Sequence, residues 1–398
     1  MGLEIVADTR GKSASWLCGD GRTAITYLGA SLPGAGLVNA LPFMTGALID
    51  RHGYRPTMAG GLVTAELVTA AAVALVTSGR RFPLNPRSMG FLGCALFALG
   101  SLVAVDGRLG ALLIGRGLAG LGGGLAISAA GQFVACAARP ARVGALASVA
   151  LAGAAAAVAL VSGWLATHAG YPALTALLAG VGAVGAPLCL TGPATVVSPS
   201  GPVRAHAGPR ETARCMALLA CPFLLFLASG SLWSFVDRLG RHLGLDAMAI
   251  AQITALTAFA GIAGALSALA AARWLGEATS AAIGVLSCAV SIPLLAAAET
   301  PAVYALAMAV LSFAVIYVVP FLTALAARLD PTGWASGATL ASIPLAGSLG
   351  PLLGGLIIER HGLAPLPAVT LGLCAAAILA LAFAIWPKPQ VSPSRSTA

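Results

Sequence analysis

The chain has 398 residues, of which 59% are hydrophobic and only 9% charged. A water-soluble domain carries about 25% charged residues, so a solvated globule is excluded, and so apolar a chain is equally unlike a disordered one. The formal charge of +9 comes from basic residues at the ends of apolar runs rather than in one tract, which speaks against nucleic-acid binding and fits the positive-inside pattern of membrane helices.

Residues 1–23 are polar, with Asp8, Arg10, Lys12 and Asp20, and lack the apolar core of a cleaved signal. They read as a cytoplasmic tail. Apolar runs bounded by charge, Pro or Gly predict helices over 24–48, 57–78, 88–105, 110–134, 143–166 and 171–192. A second set follows over 215–235, 248–271, 279–297, 302–326, 335–358 and 364–386. A hydrocarbon core of about 30 Å takes roughly 20 helical residues, so each run suffices for one crossing. Between the sets, PATVVSPSGPVRAHAGPRETAR (193–214) has the Pro, Gly and Ser content of a linker, and 387–398 form a C-terminal tail. The expected class is all-α, with twelve transmembrane helices in two pseudo-symmetric six-helix bundles, 24–192 and 215–386.

The second set repeats the first at a shift of 192. Span 57–78 lands on 249–270 and 143–166 on 335–358; Arg81 lands on Arg273, Gly163 on Gly355 and Gly170 on Gly362. One shift across six elements implies parallel repeats about an axis along the membrane normal. Of the 22 Lys and Arg, 15 fall on the side of the termini, 6 on the other and one inside a span. That bias places both termini in the cytoplasm. Trp164 and Trp233 fall near outer ends, as interfacial aromatics do.

The expected spans hold two charged residues, Glu66 in the second helix and Arg116 in the fourth. An intramembrane ionisable residue costs roughly 2.5–3.5 kcal/mol to insert and marks a functional candidate. Glu66 lies nine residues in from the outer side and Arg116 six, a depth difference of about 4.5 Å, so the two can pair if their helices touch. The pair reads either as a proton or ion switch, since burial and a neighbouring arginine pull a carboxyl in opposite directions, or as a static lock. Gly120 and Gly124 form a GxxxG suited to close helix packing. Polar candidates for the substrate cavity are few: Asn39 with its repeat mate Ser231, Gln132, Gln252, Tyr304 and Tyr317. Interhelical hydrogen bonding is the plainer role for each. So few polar positions favour an apolar or amphipathic substrate over a sugar. The eight cysteines show no CxxC or Cys/His cluster, so neither a metal site nor a disulfide framework is expected. No cofactor motif and no catalytic triad lies within the spans.

Three passages resemble the major facilitator superfamily: RGLAGLGGG (116–124), similar to its fourth-helix pattern; GSLGPLLGG (347–355), similar to the Gly-Pro pattern of its antiporters; and LFALGSL (96–102) in the third helix. The Gly-Pro pattern of antiporters belongs to the fifth helix, where this chain has Val158 and Ala159 and keeps only Gly163. Here it stands in the eleventh, and Gly350, Pro351, Gly354 and Gly355 are expected to bend or pack that helix. GALIDRHGYRP (46–56) matches the superfamily's loop signature, yet the span count puts Asp50 and Arg51 in an outward loop after the first helix. The resemblance implies transport by rocking two halves about a central site. Together these readings lead to a secondary transporter of the bacterial inner membrane that exports small amphipathic compounds in exchange for protons and acts as a monomer. The alternatives are uptake of an organic anion on Arg116 and a non-transporting receptor or scaffold.

Overall fold

A computed structural model describes residues 2–78, 84–135, 140–192, 209–329 and 334–385. Every element in them is a helix: α1 (Gly2–His52), α2 (Pro56–Ser78), α3 (Pro86–Val103), α4 (Leu109–Ala135), α5 (Pro140–His168) and α6 (Tyr171–Cys189) in the first half. The second half holds α7 (Pro209–Trp233), α8 (Val236–His242), α9 (Ala247–Trp274), α10 (Glu277–Ala296), α11 (Pro301–Leu329), α12 (Trp334–His361) and α13 (Pro365–Ile385). Twelve are long and apolar enough to cross a membrane; α8 is the exception. The starts of α2 to α6, shifted by 192, fall within two residues of the starts of α9 to α13.

Three expectations change. The backbone is already helical from Gly2, so the expected tail continues into α1, whose membrane-length part is Gly21–His52. In addition, α7 stops at Trp233 and restarts as α8, whereas the equivalent stretch of α1 runs on unbroken. The first residues of α7, from Pro209, also come from the stretch expected to be linker.

Local chemistry explains the ends. Asn85 caps α3 by accepting from the Ser88 amide at 2.8 Å, with Pro86 in the first turn, and Asp246 caps α9 through Ala249 at 2.7 Å. Both groups satisfy amides that have no partner inside the helix. Gly170 and Gly362 leave α5 and α12 at φ +73° and +80°, a conformation that costs glycine nothing. With an even number of crossings, the termini share one end; the loops at 53–55, 104–108, 169–170, 234–246, 297–300 and 362–364 form the other, called distal below.

Within each half small residues let helices touch. Gly93 and Gly122 interlock across α3 and α4: a Cβ on Gly93 would stand 2.6 Å from the Ala126 nitrogen. The halves meet along two seams, α2 against α12 and α5 against α9. The seams are repeat-related. Gly163 of α5 faces the Ala247 carbonyl oxygen, 2.8 Å from where its Cβ would be, and Gly355 of α12 faces the Pro56 carbonyl carbon at 2.8 Å.

Candidate functional site

Glu66 and Arg116 meet. Arg116 Nη1 donates to Glu66 Oε2 at 3.1 Å, and both side chains are buried, Arg116 at 2% and Glu66 at 1% exposure. Packing at glycine brings their helices together. A Cβ on Gly120, one turn beyond Arg116, would lie 2.9 Å from Thr69 Cβ, and one on Gly124 would lie 2.7 Å from Val73 Cβ. A larger residue at either point would hold α4 off α2 and separate the charges. Helical side chains lean toward the N-terminus of their helix, which for α4 is the distal end. There Arg116 Nη2 donates to the Tyr171 hydroxyl at 2.8 Å.

Tyr171 is absent from the sequence-derived candidates. It is the first residue of α6, fully buried, with the guanidinium 5.9 Å from its ring centre. The His52 ring packs edge-on against it at 5.4 Å and in turn covers Gly107. The guanidinium is thus held by a carboxylate on one side and a phenol on the other. The second carboxylate oxygen, Glu66 Oε1, is buried and has no hydrogen-bond partner. An orphaned buried oxygen carries a desolvation cost.

A second constellation ties the halves together at the distal end. Pro42 has no amide hydrogen, so the Val38 carbonyl, four residues earlier, loses its helical donor. The indole Nε1 of Trp233, from the other half, donates to that oxygen at 2.8 Å. Thr45 Oγ1 donates to the Ser234 carbonyl at 2.8 Å. Arg238 pairs with Asp50 at 2.5 Å and Arg55 with Glu359 at 3.3 Å, and the Leu352 amide donates to Thr64 Oγ1 at 3.2 Å. Trp233, expected to be an interfacial aromatic, instead packs between the halves; Trp164 stays exposed and stacks on His168 at 4.8 Å. Asp50 belongs to this clasp, while Arg51 donates to the Ala166 and Thr167 carbonyls of α5.

The polar candidates are not gathered into one site. Asn39 Nδ2 donates to Ala35 of its own helix at 2.8 Å. Ser231 is buried beneath Gly350 and Gly354, and its hydroxyl donates to Leu227 at 2.8 Å. The Tyr304 hydroxyl holds α8 through the Val236 carbonyl at 2.9 Å. Tyr317 stacks on Phe313 and lies tilted against Phe321. Gln132 Oε1 is buried without a partner, and Gln252 lies exposed on a helix face shared with Leu256 and Phe259. The Gly-Pro run of α12 has two working faces. Gly350 and Gly354 pack on α7, and Pro351 and Gly355 on Gly60 and Pro56 of α2.

Among the described residues, twelve membrane-length helices in two repeat-related halves that are clasped together at one end, with a buried ion pair inside the first half, define a multi-pass membrane protein of secondary-transporter architecture. The Major Facilitator Superfamily model matches residues 23–341, and the chain belongs to that family. No curated protein matches the sequence. Among solved structures, a D-xylose-proton symporter is similar with TM-score 0.69 and 14% identity, over 92% of this chain and 97% of that one. A single-residue mutant of the nucleoside transporter NupG gives 0.70 and 13%, over 91% and 98%. A structure described as giving insights into substrate recognition in proton dependent oligopeptide transporters gives 0.70 and 14%, over 92% and 97%. At such identities the likeness is one of fold, and it agrees with the all-helical class and the resemblance drawn from the sequence.

Proposed function

We propose that the protein is a proton-coupled exporter of small amphipathic compounds, with its termini in the cytoplasm and Glu66 as the group that takes up and releases the proton. The observation that carries this reading is the half-satisfied carboxylate: Glu66 Oε2 is bound by Arg116 and Oε1 is buried with no partner. A carboxylate in that setting changes its proton affinity when the distance to the arginine changes, so movement of α4 against α2 converts into proton binding or release. Tyr171 fixes the other edge of the guanidinium and limits where Arg116 can go. The same enclosure argues against the organic-anion alternative, because both edges of Arg116 are already bonded within the protein. The scarcity of polar side chains free of structural bonds supports an amphipathic substrate.

The test is flux in proteoliposomes across a panel of amphipathic cations and neutral compounds, with and without a pH gradient. Wild type is expected to move a subset of the panel faster when the gradient is imposed, and Glu66→Gln to lose that acceleration. Gradient-driven flux in Glu66→Gln equal to wild type overturns the proton role. Flux without any response to pH in wild type overturns proton coupling altogether.

A further inference from the structure

A second buried carboxylate lies outside the membrane-spanning segments, on α8, where the α7 line breaks. Asp237 is 1% exposed. Its Oδ2 accepts from Arg241 Nε at 2.8 Å, while its Oδ1 is buried and has no partner. It is covered from the opposite half. Gly46 of α1 lies so close that a Cβ there would stand 2.9 Å from Oδ2. The cover is therefore a property of the clasped arrangement: withdrawing α1 from α8 uncovers Asp237.

We propose that Asp237 is a second proton-binding group of this transporter, and that a proton taken up there from the distal compartment holds the clasp between the halves shut. The proposal rests on the proton-coupled reading above and adds to it a site, a side of the membrane and a direction. Burial pushes the Asp237 carboxyl above the usual carboxylate range, with Arg241 pulling against it, Asp50 adding to the rise and Arg238 opposing. The charged and titratable groups that act on it are Arg241 and Arg238 on α8 and Asp50 on α1, with Tyr304 of α11 bonded to the neighbouring Val236 carbonyl; Arg51 and His52, which also close α1, are engaged by α5 and by Tyr171.

The sign follows from linkage. In the clasped form the carboxyl is buried and its proton affinity is raised; in the unclasped form water reaches it and the affinity is ordinary. Protons therefore favour the clasped form, and the effect is lost as pH rises through the clasped-state pKa. Each unit of difference between the two states changes the clasped-to-open ratio about tenfold. Acid on the distal side thus closes the distal mouth behind the incoming proton, the order that proton-driven exchange requires.

The experiment measures distances across the distal mouth by spin labels on Arg108→Cys and Glu299→Cys, both exposed. Cys18 and Cys136 are replaced by Ser; the other six cysteines are buried. The protein sits in nanodiscs, without substrate or gradient, between about pH 4.5 and 8, a window that starts just above the ordinary aspartate value and covers the region into which burial raises it. The short-distance population is expected to grow at least about fivefold as pH falls, and Asp237→Asn to hold the short distance at every pH. Arg241→Gln removes the cation on Oδ2 without touching a bond between the halves, and is expected to move the midpoint to higher pH. A wild type without a pH response, an Asp237→Asn that follows wild type, or an Arg241→Gln midpoint that does not move overturns the proposal. The pH response of the distances is expected to survive in Glu66→Gln, so failure of the Glu66 reading shows in flux and failure of this one in the pH dependence of the distances.

Discussion

Gly60 lies where α2 crosses α12, and alanine there tests whether the two halves must separate for transport. A Cβ at this position would fall against the Pro351 carbonyl oxygen, 2.7 Å from its carbon and 3.3 Å from the Leu352 nitrogen. These are backbone atoms and cannot rotate away, so the helices must part by about 1 Å at the seam, an overpacking that costs roughly 1–3 kcal/mol. Both bundles keep their internal contacts, so the cost falls on the clasped arrangement alone. A difference of about 1–3 kcal/mol changes the ratio of two states roughly 5- to 150-fold. Gly61→Ala is the matched control: it gains the same helix propensity, about 1 kcal/mol, and meets only Leu352 Cδ1 at 3.8 Å. Spin-label distances across the distal mouth should lengthen in Gly60→Ala and stay put in Gly61→Ala, with thermal stability of the two proteins nearly equal. Wild-type distances and flux in Gly60→Ala would refute the view that this seam opens during the cycle.

Removing one partner of the buried ion pair leaves the other charge uncompensated, at a cost of roughly 3–5 kcal/mol. Glu66→Ala and Arg116→Ala should therefore each lower the unfolding temperature in detergent sharply, and Glu66→Leu with Arg116→Met should recover most of it. Tyr171→Phe removes one hydrogen bond to a charged group, worth about 1.5–3 kcal/mol, and should lower the same temperature by less than Arg116→Ala. Trp233→Phe should weaken the distal clasp by about 1 kcal/mol. In a Pro42→Ala background the restored amide serves Val38 from within α1, so the Trp233 effect should largely vanish in a double-mutant cycle read on the distal distances.

The helices, the repeat and the Glu66–Arg116 pair were legible because each depends on position along one chain. Apolar runs of membrane length mark the spans, a single shift relates the halves, and similar depth predicts that two charges can meet. Tyr171 was not legible. It opens α6 at a loop boundary, and nothing in its neighbourhood says that an arginine from α4 reaches back toward it. One signal was present and unused: Pro42 in a span implies an orphaned Val38 carbonyl, and that carbonyl needs a donor. Which donor depends on how α7 lies against α1, a fact of three-dimensional packing. The end of α7 was close to the expected 235, but the short helix α8 was not legible, since Asp237, Arg238, Arg241 and His242 read as a solvated loop. Polarity along a helix does not reveal which way it faces: Ser231 and Tyr304 turn out to be buried and bonded within their own half.

The two-faced packing of α12 has a genetic corollary. Successive residues of a helix point about 100° apart, so neighbours in sequence serve different partners. Gly350 and Gly354 lie against α7 in their own bundle, and Pro351 and Gly355 against α2 in the other. Selection acting on protein abundance would therefore weigh on the first pair, and selection acting on turnover on the second. A library of α12 variants scored separately for amount and for activity should sort by helical phase rather than by distance along the chain.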